Sequence, residues 1–206
     1  MLSVHYESRV RLSISSRLTG HLNSRLKEAL CPVLLCLACG KRLIKATIQK
    51  AINDQTRKEF YSYYLYLSMA AYFESINLRG FAHWMRVQAK EEQEHAMKFF
   101  EYIVERQGKV VLEAIDAPTA KWKSPMNVFE DAYNHERKVT ESIHKIVDLA
   151  ESEKDHATGV FLQWFVKEQV EEEGSANDIL EKLKLVGSEK GAVFFLDAQL
   201  GKRASK

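Results

Sequence analysis

The stretch FAHWMRVQAKEEQEHAMKFFEYIVERQ, residues 81–107, decides the fold class. At 100° per residue, one face of this segment is apolar at both ends and polar at its centre. Gln88, Glu92 and His95 occupy the centre, and the apolar positions are Phe81, Trp84, Met85, Phe99, Tyr102 and Ile103. The pattern predicts an amphipathic helix that buries a Glu-x-x-His pair on its inner face.

Three further segments repeat this pattern. Long helices are predicted at about residues 43–75, 125–152 and 155–186, and a short fifth helix at 188–200. Their apolar stripes are interrupted near the middle by Glu59, by Glu136, and by the pair Gln169 and Glu172. Only nine glycines and three prolines occur in 206 residues, which favours long helices over a β-rich fold.

The connections between these helices indicate how they are arranged. Three are short enough to join antiparallel neighbours, whereas residues 108–124 form a long link between the second and third helices. Ser124-Pro125 is a good N-cap and N1 pair for the third helix. The prediction is an all-α four-helix bundle with one long crossover and a short C-terminal fifth helix.

If the four helices pack side by side, their polar interruptions converge at mid-bundle. The converging residues are Glu59, Glu92, His95, Glu136, Gln169 and Glu172. Each isolated buried charge costs several kcal/mol, so bound cations would relieve the layer. Four carboxylates and one imidazole suit two divalent iron or manganese ions. The alternative is a helical interaction module whose polar residues form only a hydrogen-bonded network.

Four motifs give the chain a family resemblance. They are NDQTRKEFYSYYLYLSMAAYF (53–73), GFAHWMRVQAKEEQEHAMKFF (80–100), NHE (134–136) and FLQWFVKEQVEEE (161–173). Together they resemble the non-heme ferritins of bacteria and archaea, over residues 44–200 and in the same order. The resemblance covers more than three quarters of the chain and implies the ferritin-like fold.

The resemblance also implies roles for individual residues. Glu59, Glu92 and His95 would hold a first iron, and Glu92 would bridge to a second. Glu136 and Gln169 would hold that second iron, with Glu172 beside the pair. Tyr66 matches the tyrosine next to the di-iron centre, which supplies an electron or a hydrogen bond. A third iron site would comprise Glu91, Glu168, Glu171 and Glu172.

The implied activity is that of a ferroxidase. Ferritins of this type oxidise Fe(II) with O₂ or peroxide and store it as a ferric oxyhydroxide mineral inside a cage of 24 identical subunits. No heme is expected, because Gln93 stands where bacterioferritins place a heme-ligating methionine. Rubrerythrins carry a second Glu-x-x-His where this chain has Gln169-x-x-Glu172. The two CxxC motifs of a rubredoxin domain do not occur, since Cys36 and Cys39 form a single one.

The sequence also allows two related functions. A rubrerythrin-like di-iron enzyme would remove peroxide without storing mineral, in an assembly smaller than a cage. A DNA-protecting mini-ferritin would place its metal centre between subunits, and so would not need the full ligand set within one bundle.

Residues 1–43 differ from the predicted ferritin-like domain, residues 44–206. Residues 1–44 hold seven basic and two acidic residues, so their net charge is +5 and the remainder carries −3. This segment is a transit-like targeting sequence, a flexible arm or the product of a misassigned start. Its apolar run, residues 29–39, is too short to span a bilayer.

The other expectations concern thiols, partners and location. Cys31, Cys36 and Cys39 are better interpreted as incidental thiols than as ligands of an iron–sulfur cluster. Because the basic excess is confined to the N-terminal segment, neither nucleic-acid nor membrane binding is expected. The expected location is cytoplasmic, or an organelle if residues 1–43 are a transit segment.

Overall fold

A computed structural model of the chain describes residues 43–187 and 189–204. They form five α-helices: α1 Ala46–Ser75, α2 Arg79–Glu105, α3 Pro125–Ser152, α4 His156–Val186 and α5 Lys190–Leu200. The all-α prediction is confirmed, and every helix boundary lies within three residues of the predicted one. Within the described ranges no strand occurs.

The predicted N-terminal segment lies outside the described residues except for Leu43. Cys31, Cys36 and Cys39 therefore also lie outside them, as does Ser188, where the fifth helix was expected to begin. None of the described helices is both long enough and apolar enough to cross a membrane.

Local chemistry accounts for the helix ends. Ser124 accepts a hydrogen bond from the Asn127 backbone N–H at 3.3 Å, which confirms the predicted N-cap of α3. Asp155 caps α4 by accepting from the Thr158 backbone N–H at 3.2 Å. The left-handed residue that ends α2 is Gln107, with φ of 56°, one position before Gly108. Asn77, with φ of 60°, ends α1 in the same way.

Neighbouring helices in the bundle are antiparallel. α1 packs against α2 and α3, and α3 packs against α4. Lys45, at the start of α1, pairs with Glu153 at the end of α3, with 2.7 Å between Nζ and Oε2. Arg106 at the end of α2 pairs with Asp155 at the start of α4, with 2.8 Å between Nη2 and Oδ2. The long crossover produces this arrangement.

The crossover, residues 108–124, runs the length of α1. Near one end of α1, the side-chain oxygens of Gln49 and Asn53 accept from the backbone N–H groups of Lys109 and Val111, both at 2.7 Å. Nineteen residues after Gln49 along α1, Ser68 donates to the Thr119 carbonyl at 2.6 Å. Side chains of α1 thus satisfy backbone groups of a segment that has no helix of its own.

The core consists of two apolar clusters with the polar layer between them. One contains Leu65, Tyr66, Met69, Phe73, Phe81, Met85, Phe129, Leu180 and their neighbours. The other contains Ile48, Ile52, Phe99, Ile103, Ile143, Leu162, Phe165 and their neighbours. Each long helix contributes to both clusters, as its stripe predicted, so the polar residues are shielded from water on two sides.

Helix α5 sits against the N-terminal end of α2 through a close backbone approach. A Cβ at Gly80 would lie 1.7 Å from the Asp197 carbonyl oxygen, so only glycine fits there. The Asp197 side chain accepts from the Phe81 backbone N–H at 2.9 Å, which satisfies one free donor of the first turn of α2. Gly80 and Asp197 together fix the position of α5.

Two glycine substitutions should have opposite effects on stability. Gly80→Ala should cost about 1–3 kcal/mol, because the methyl group must push α5 away from α2. Gly174→Ala should gain about 1 kcal/mol, because α4 is helical through Gly174 and a Cβ there meets nothing within 4 Å.

Denaturant unfolding measures both changes, and hydrogen exchange locates them. Amides of α5 should lose protection in Gly80→Ala and keep it in Gly174→Ala. Equal stability of the two variants would contradict the close contact between α2 and α5.

Candidate metal centre

Four helices each place polar side chains in the layer between the two apolar clusters. Glu59 comes from α1, Glu92 and His95 from α2, Glu136 from α3, and Gln169 and Glu172 from α4. Glu59, Glu92 and Glu136 are each only 1% exposed, and His95 is 4% exposed. The six residues predicted to converge are therefore all buried in this layer.

The tightest group within the layer is Glu59, Glu92 and His95. One ligand atom from each lies within 4.8 Å of the other two. Nδ1 of His95 is 3.7 Å from Oε2 of Glu92. Two carboxylates and an imidazole at this separation form a pocket that one divalent cation could fill.

Glu136 is held differently, by hydrogen bonds to both of its oxygens. The Tyr66 hydroxyl donates to Oε1, and the Gln169 side-chain amide donates to Oε2 at 3.3 Å. Among the described residues, Glu136 belongs to no three-residue metal group. Gln169 also donates to Thr140 at 3.3 Å, which in turn donates to Glu173 at 2.5 Å.

Two glutamines position the carboxylates, a role that the sequence analysis missed. Gln55 donates to Glu59 at 2.8 Å, and Gln88 donates to Glu92 at 3.0 Å. Gln88 also donates to Glu172 at 2.6 Å, so it links α2 to α4. Each glutamine lies four residues before its glutamate on the same helix, and this repeated spacing was the signal available in the sequence.

Several oxygens of the layer are buried without any hydrogen-bond partner. They are Oε2 of Glu59, Oε1 of Glu172, Oε1 of Gln88 and Oε1 of Glu91. Buried polar atoms normally find a partner, so these four unsatisfied acceptors need an explanation. All four are carboxylate or amide oxygens, which are hard ligands. The donor set therefore fits iron or manganese.

Burial raises the carboxylate pKa values throughout the layer. Loss of hydration is the largest cause for Glu59, Glu92, Glu136 and Glu172. The charges of Glu59 and Glu172 push the pKa of Glu92 higher still. Burial and then the Glu136 charge raise the pKa of Tyr66 well above 10, so its phenol stays protonated. Protons thus stabilise the layer when no cation is bound.

The residues expected at a third site are only partly brought together. Glu168 and Glu172 form a second group with His95, whose ligand atoms lie within 4.8 Å of one another. Glu91 is buried, but one of its oxygens accepts from Arg203. Glu171 is exposed on α4 and, within the described part of the chain, belongs to neither three-residue group.

Comparisons with known proteins identify the family of the chain. A family model described as a ferritin-like domain matches residues 49–186. A bacterial non-heme ferritin of Bacteroides fragilis is 45% identical over 161 residues, which are 78% of this chain and 100% of that protein. A probable bacterial non-heme ferritin-like protein of Haemophilus influenzae is 38% identical, over 80% of this chain and 99% of its own length.

Solved structures of ferritins are also similar to this chain. An open-pore ferritin from the archaeon Archaeoglobus fulgidus superimposes with a TM-score of 0.78 at 53% identity, over 78% of this chain and 98% of that one. An engineered closed form of the A. fulgidus ferritin also gives a TM-score of 0.78, at 52% identity, over 79% of this chain and 99% of its own.

The raised pKa values predict how the metal-free protein responds to pH. Above pH 4.5, the ordinary pKa of glutamate, the folded protein holds protons that the unfolded chain has lost. The free energy of unfolding therefore falls as pH rises towards each raised pKa. Glu92→Gln should remove the contribution of Glu92 to this pH dependence, which is at most about 1.4 kcal/mol of unfolding free energy per pH unit. The metal-free variant should therefore be more stable than metal-free wild type near neutral pH.

The measurement is denaturant unfolding with a chelator present, from pH 4 to pH 8. His135, whose pKa burial lowers to about 4, contributes the opposite slope, but it does so in both proteins. Glu181→Gln, at an exposed position paired with Lys184, is the matched control and should leave the slope unchanged. The interpretation fails if Glu92→Gln is the less stable protein at pH 7.

Proposed function

The chain belongs to the ferritin family, and we propose that it stores iron by oxidising Fe(II) at a di-iron centre within each subunit. The observation that carries the proposal is the buried group Glu59, Glu92 and His95, whose ligand atoms lie within 4.8 Å of one another. Iron is the substrate here, and the protein supplies its ligands and their charge.

Each residue of the layer has a role in this proposal. Glu59, Glu92 and His95 bind the first Fe(II), and the unpartnered Oε2 of Glu59 is available for it. The second Fe(II) lies between Glu92, Glu136 and Gln169, with Glu172 beside it. Two metals in such a site lie about 3.5–4 Å apart. As Fe(II) binds, protons leave the carboxylates and the cation takes over their stabilising role.

The redox step needs no protein nucleophile. Two Fe(II) ions each give one electron, and O₂ with two protons becomes hydrogen peroxide. With hydrogen peroxide as oxidant, the same two electrons and two protons yield two waters. The Tyr66 hydroxyl stays protonated and donates to Glu136, so it keeps that carboxylate oriented through the reaction. The Fe(III) product then passes along Glu168, Glu171 and Glu91 to the mineral.

The alternatives fit this chain less well. A purely structural hydrogen-bonded network would satisfy its buried acceptors, whereas Glu59 and Glu172 each keep an oxygen without a partner. A mini-ferritin centre between subunits would not gather its ligands inside one bundle. For a rubrerythrin-like enzyme, Gln169 and Glu172 stand where a Glu-x-x-His pair is expected.

The assembly belongs to the same proposal. We propose a homo-oligomeric cage of 24 subunits, located in the cytoplasm unless residues 1–43 direct the chain to an organelle. The similarity to a ferritin described as open-pored supports an assembly of several subunits. So do the large apolar side chains exposed on α4 and α5, among them Leu185, Phe194 and Phe195, which are 87%, 71% and 64% exposed.

Aerobic addition of Fe(II) to purified protein tests the proposal. The double variant Glu92→Ala, His95→Ala should oxidise Fe(II) at least about tenfold more slowly than wild type, because the first metal loses two of its three ligands. The rate is followed by Fe(III) absorbance and corrected for oxidation in buffer.

Glu181→Ala, which removes an exposed carboxylate, is the control and should oxidise Fe(II) at the wild-type rate. Wild-type rates in the double variant would refute the assigned centre. Particle mass measured on the same samples tests the cage separately. A dimer that oxidises Fe(II) would support the peroxide-scavenging alternative instead.

A further inference from the structure

The C-terminal tail beyond α5 returns to the metal layer through Arg203. Its guanidinium donates to Oε2 of Glu91 and lies over the ring of Trp84, with 4.3 Å from Cζ to the ring centroid. Its backbone carbonyl accepts from Nε2 of His83 at 2.8 Å. His83, Trp84 and Glu91 all lie on α2, so Arg203 is fixed against that helix through both its backbone and its side chain.

This position depends on how α5 is seated. Gly80 and Asp197 fix α5 at the N-terminal end of α2, and Arg203 follows three residues after α5 ends. The Arg203 side chain is only 18% exposed, so its charge is partly removed from water. A partly buried arginine that is paired and stacked is a positioned group, unlike a freely moving surface side chain.

Arg203 faces a group of carboxylates that extends beyond its own partner. Glu91 precedes Glu92 in α2, and its second oxygen, Oε1, is buried with no hydrogen-bond partner. Burial is the main cause of the raised pKa of Glu172, and the Glu91 charge raises this pKa further while the Arg203 charge lowers it. Glu172 in turn forms the second candidate metal group with Glu168 and His95. We refer to Glu91, Glu168 and Glu172 as the outer acidic group.

We propose that Arg203 is the built-in counter-ion of the outer acidic group, and that a metal ion binding there must displace it. The C-terminal tail thereby sets how tightly the outer site holds a cation. Two positive charges on Glu91 repel each other, so metal binding and the contact between Arg203 and Glu91 oppose each other. This inference rests on the proposed function, because it presumes that cations occupy the layer.

A functional consequence follows for the passage of iron. The inner pair of metals, at Glu59, Glu92, His95 and Glu136, has no competing arginine among the described residues, whereas the outer site has one. Ions should therefore fill the inner pair first and bind the outer site more weakly. Weak outer binding favours release of Fe(III) towards the mineral.

Zn(II), which does not change oxidation state, is the probe for the test. Calorimetric titration of the metal-free, full-length protein should resolve a tight inner pair and a weaker outer ion. Arg203→Ala should tighten outer binding on the order of tenfold and leave the inner pair unchanged. Arg203→Lys keeps the charge without the planar stack, so it should lie between wild type and Arg203→Ala.

Two controls separate this role from a structural one. Lys202→Ala removes the exposed neighbouring charge and should change nothing. In a Glu91→Gln background, Arg203→Ala should lose its effect, because the carboxylate shared with the metal is gone. Unchanged or weaker outer binding in Arg203→Ala with Glu91 present overturns the proposal, as does an equal effect of Lys202→Ala.

Trp84 reports directly on the displacement. The chain has three tryptophans, so Trp122→Phe and Trp164→Phe leave Trp84 as the only indole emitter. Its fluorescence should change as the outer Zn(II) binds, and not in the same background carrying Arg203→Ala. A protein that binds no Zn(II) refutes the proposed function itself. Tight binding of the inner pair with no response of Trp84 refutes the displacement of Arg203 alone.

Discussion

Four glutamates are buried at one level of an otherwise apolar bundle, and their charge must be compensated for the bundle to fold. Among the described residues, no lysine or arginine forms an ion pair with Glu59, Glu92, Glu136 or Glu172. Water cannot stabilise these groups either, because apolar clusters lie on both sides of them. The layer must therefore be neutralised by protons or by bound cations, and the choice between the two couples stability to metal binding.

The surrounding residues hold the carboxylates in place for the second of these states. Gln55 and Gln88 restrain Glu59 and Glu92, while Tyr66 and Gln169 restrain Glu136. These donors leave other oxygens unsatisfied, namely one each on Glu59, Gln88 and Glu172. The energetic cost is thus located where a metal ion would remove it, which is how a preorganised binding site differs from a satisfied polar core.

The sequence predicted most of this fold because its information is periodic and local. Stripes of period 3.6, a serine-proline cap and one long connection were enough to define the bundle, and i, i+3 spacing was enough to place Glu92 with His95. Contacts made by irregular backbone were not predictable in this way. The position of α5 on Gly80 depends on the carbonyl group of the distant residue Asp197, and the left-handed conformation at the end of α2 falls on Gln107, which is not a glycine.

The position of Arg203 beside the site could not be predicted from the sequence either. It lies 112 residues from Glu91 along the chain and outside every helical stripe. The contact in which Glu173 on α4 accepts from Thr140 on α3 likewise joins residues that are distant along the chain. The sequence located the ligands, but the partners that tune their charge come from tertiary packing.

Anomalous diffraction at the iron edge, from crystals soaked with Fe(II) without oxygen, would locate the bound iron directly. We expect two peaks in each subunit, about 3.5–4 Å apart. One should lie among Glu59, Glu92 and His95, and the other beside Glu136 and Gln169. Iron found only at exposed carboxylates such as Asp178 and Glu181, with none in the buried layer, would contradict it.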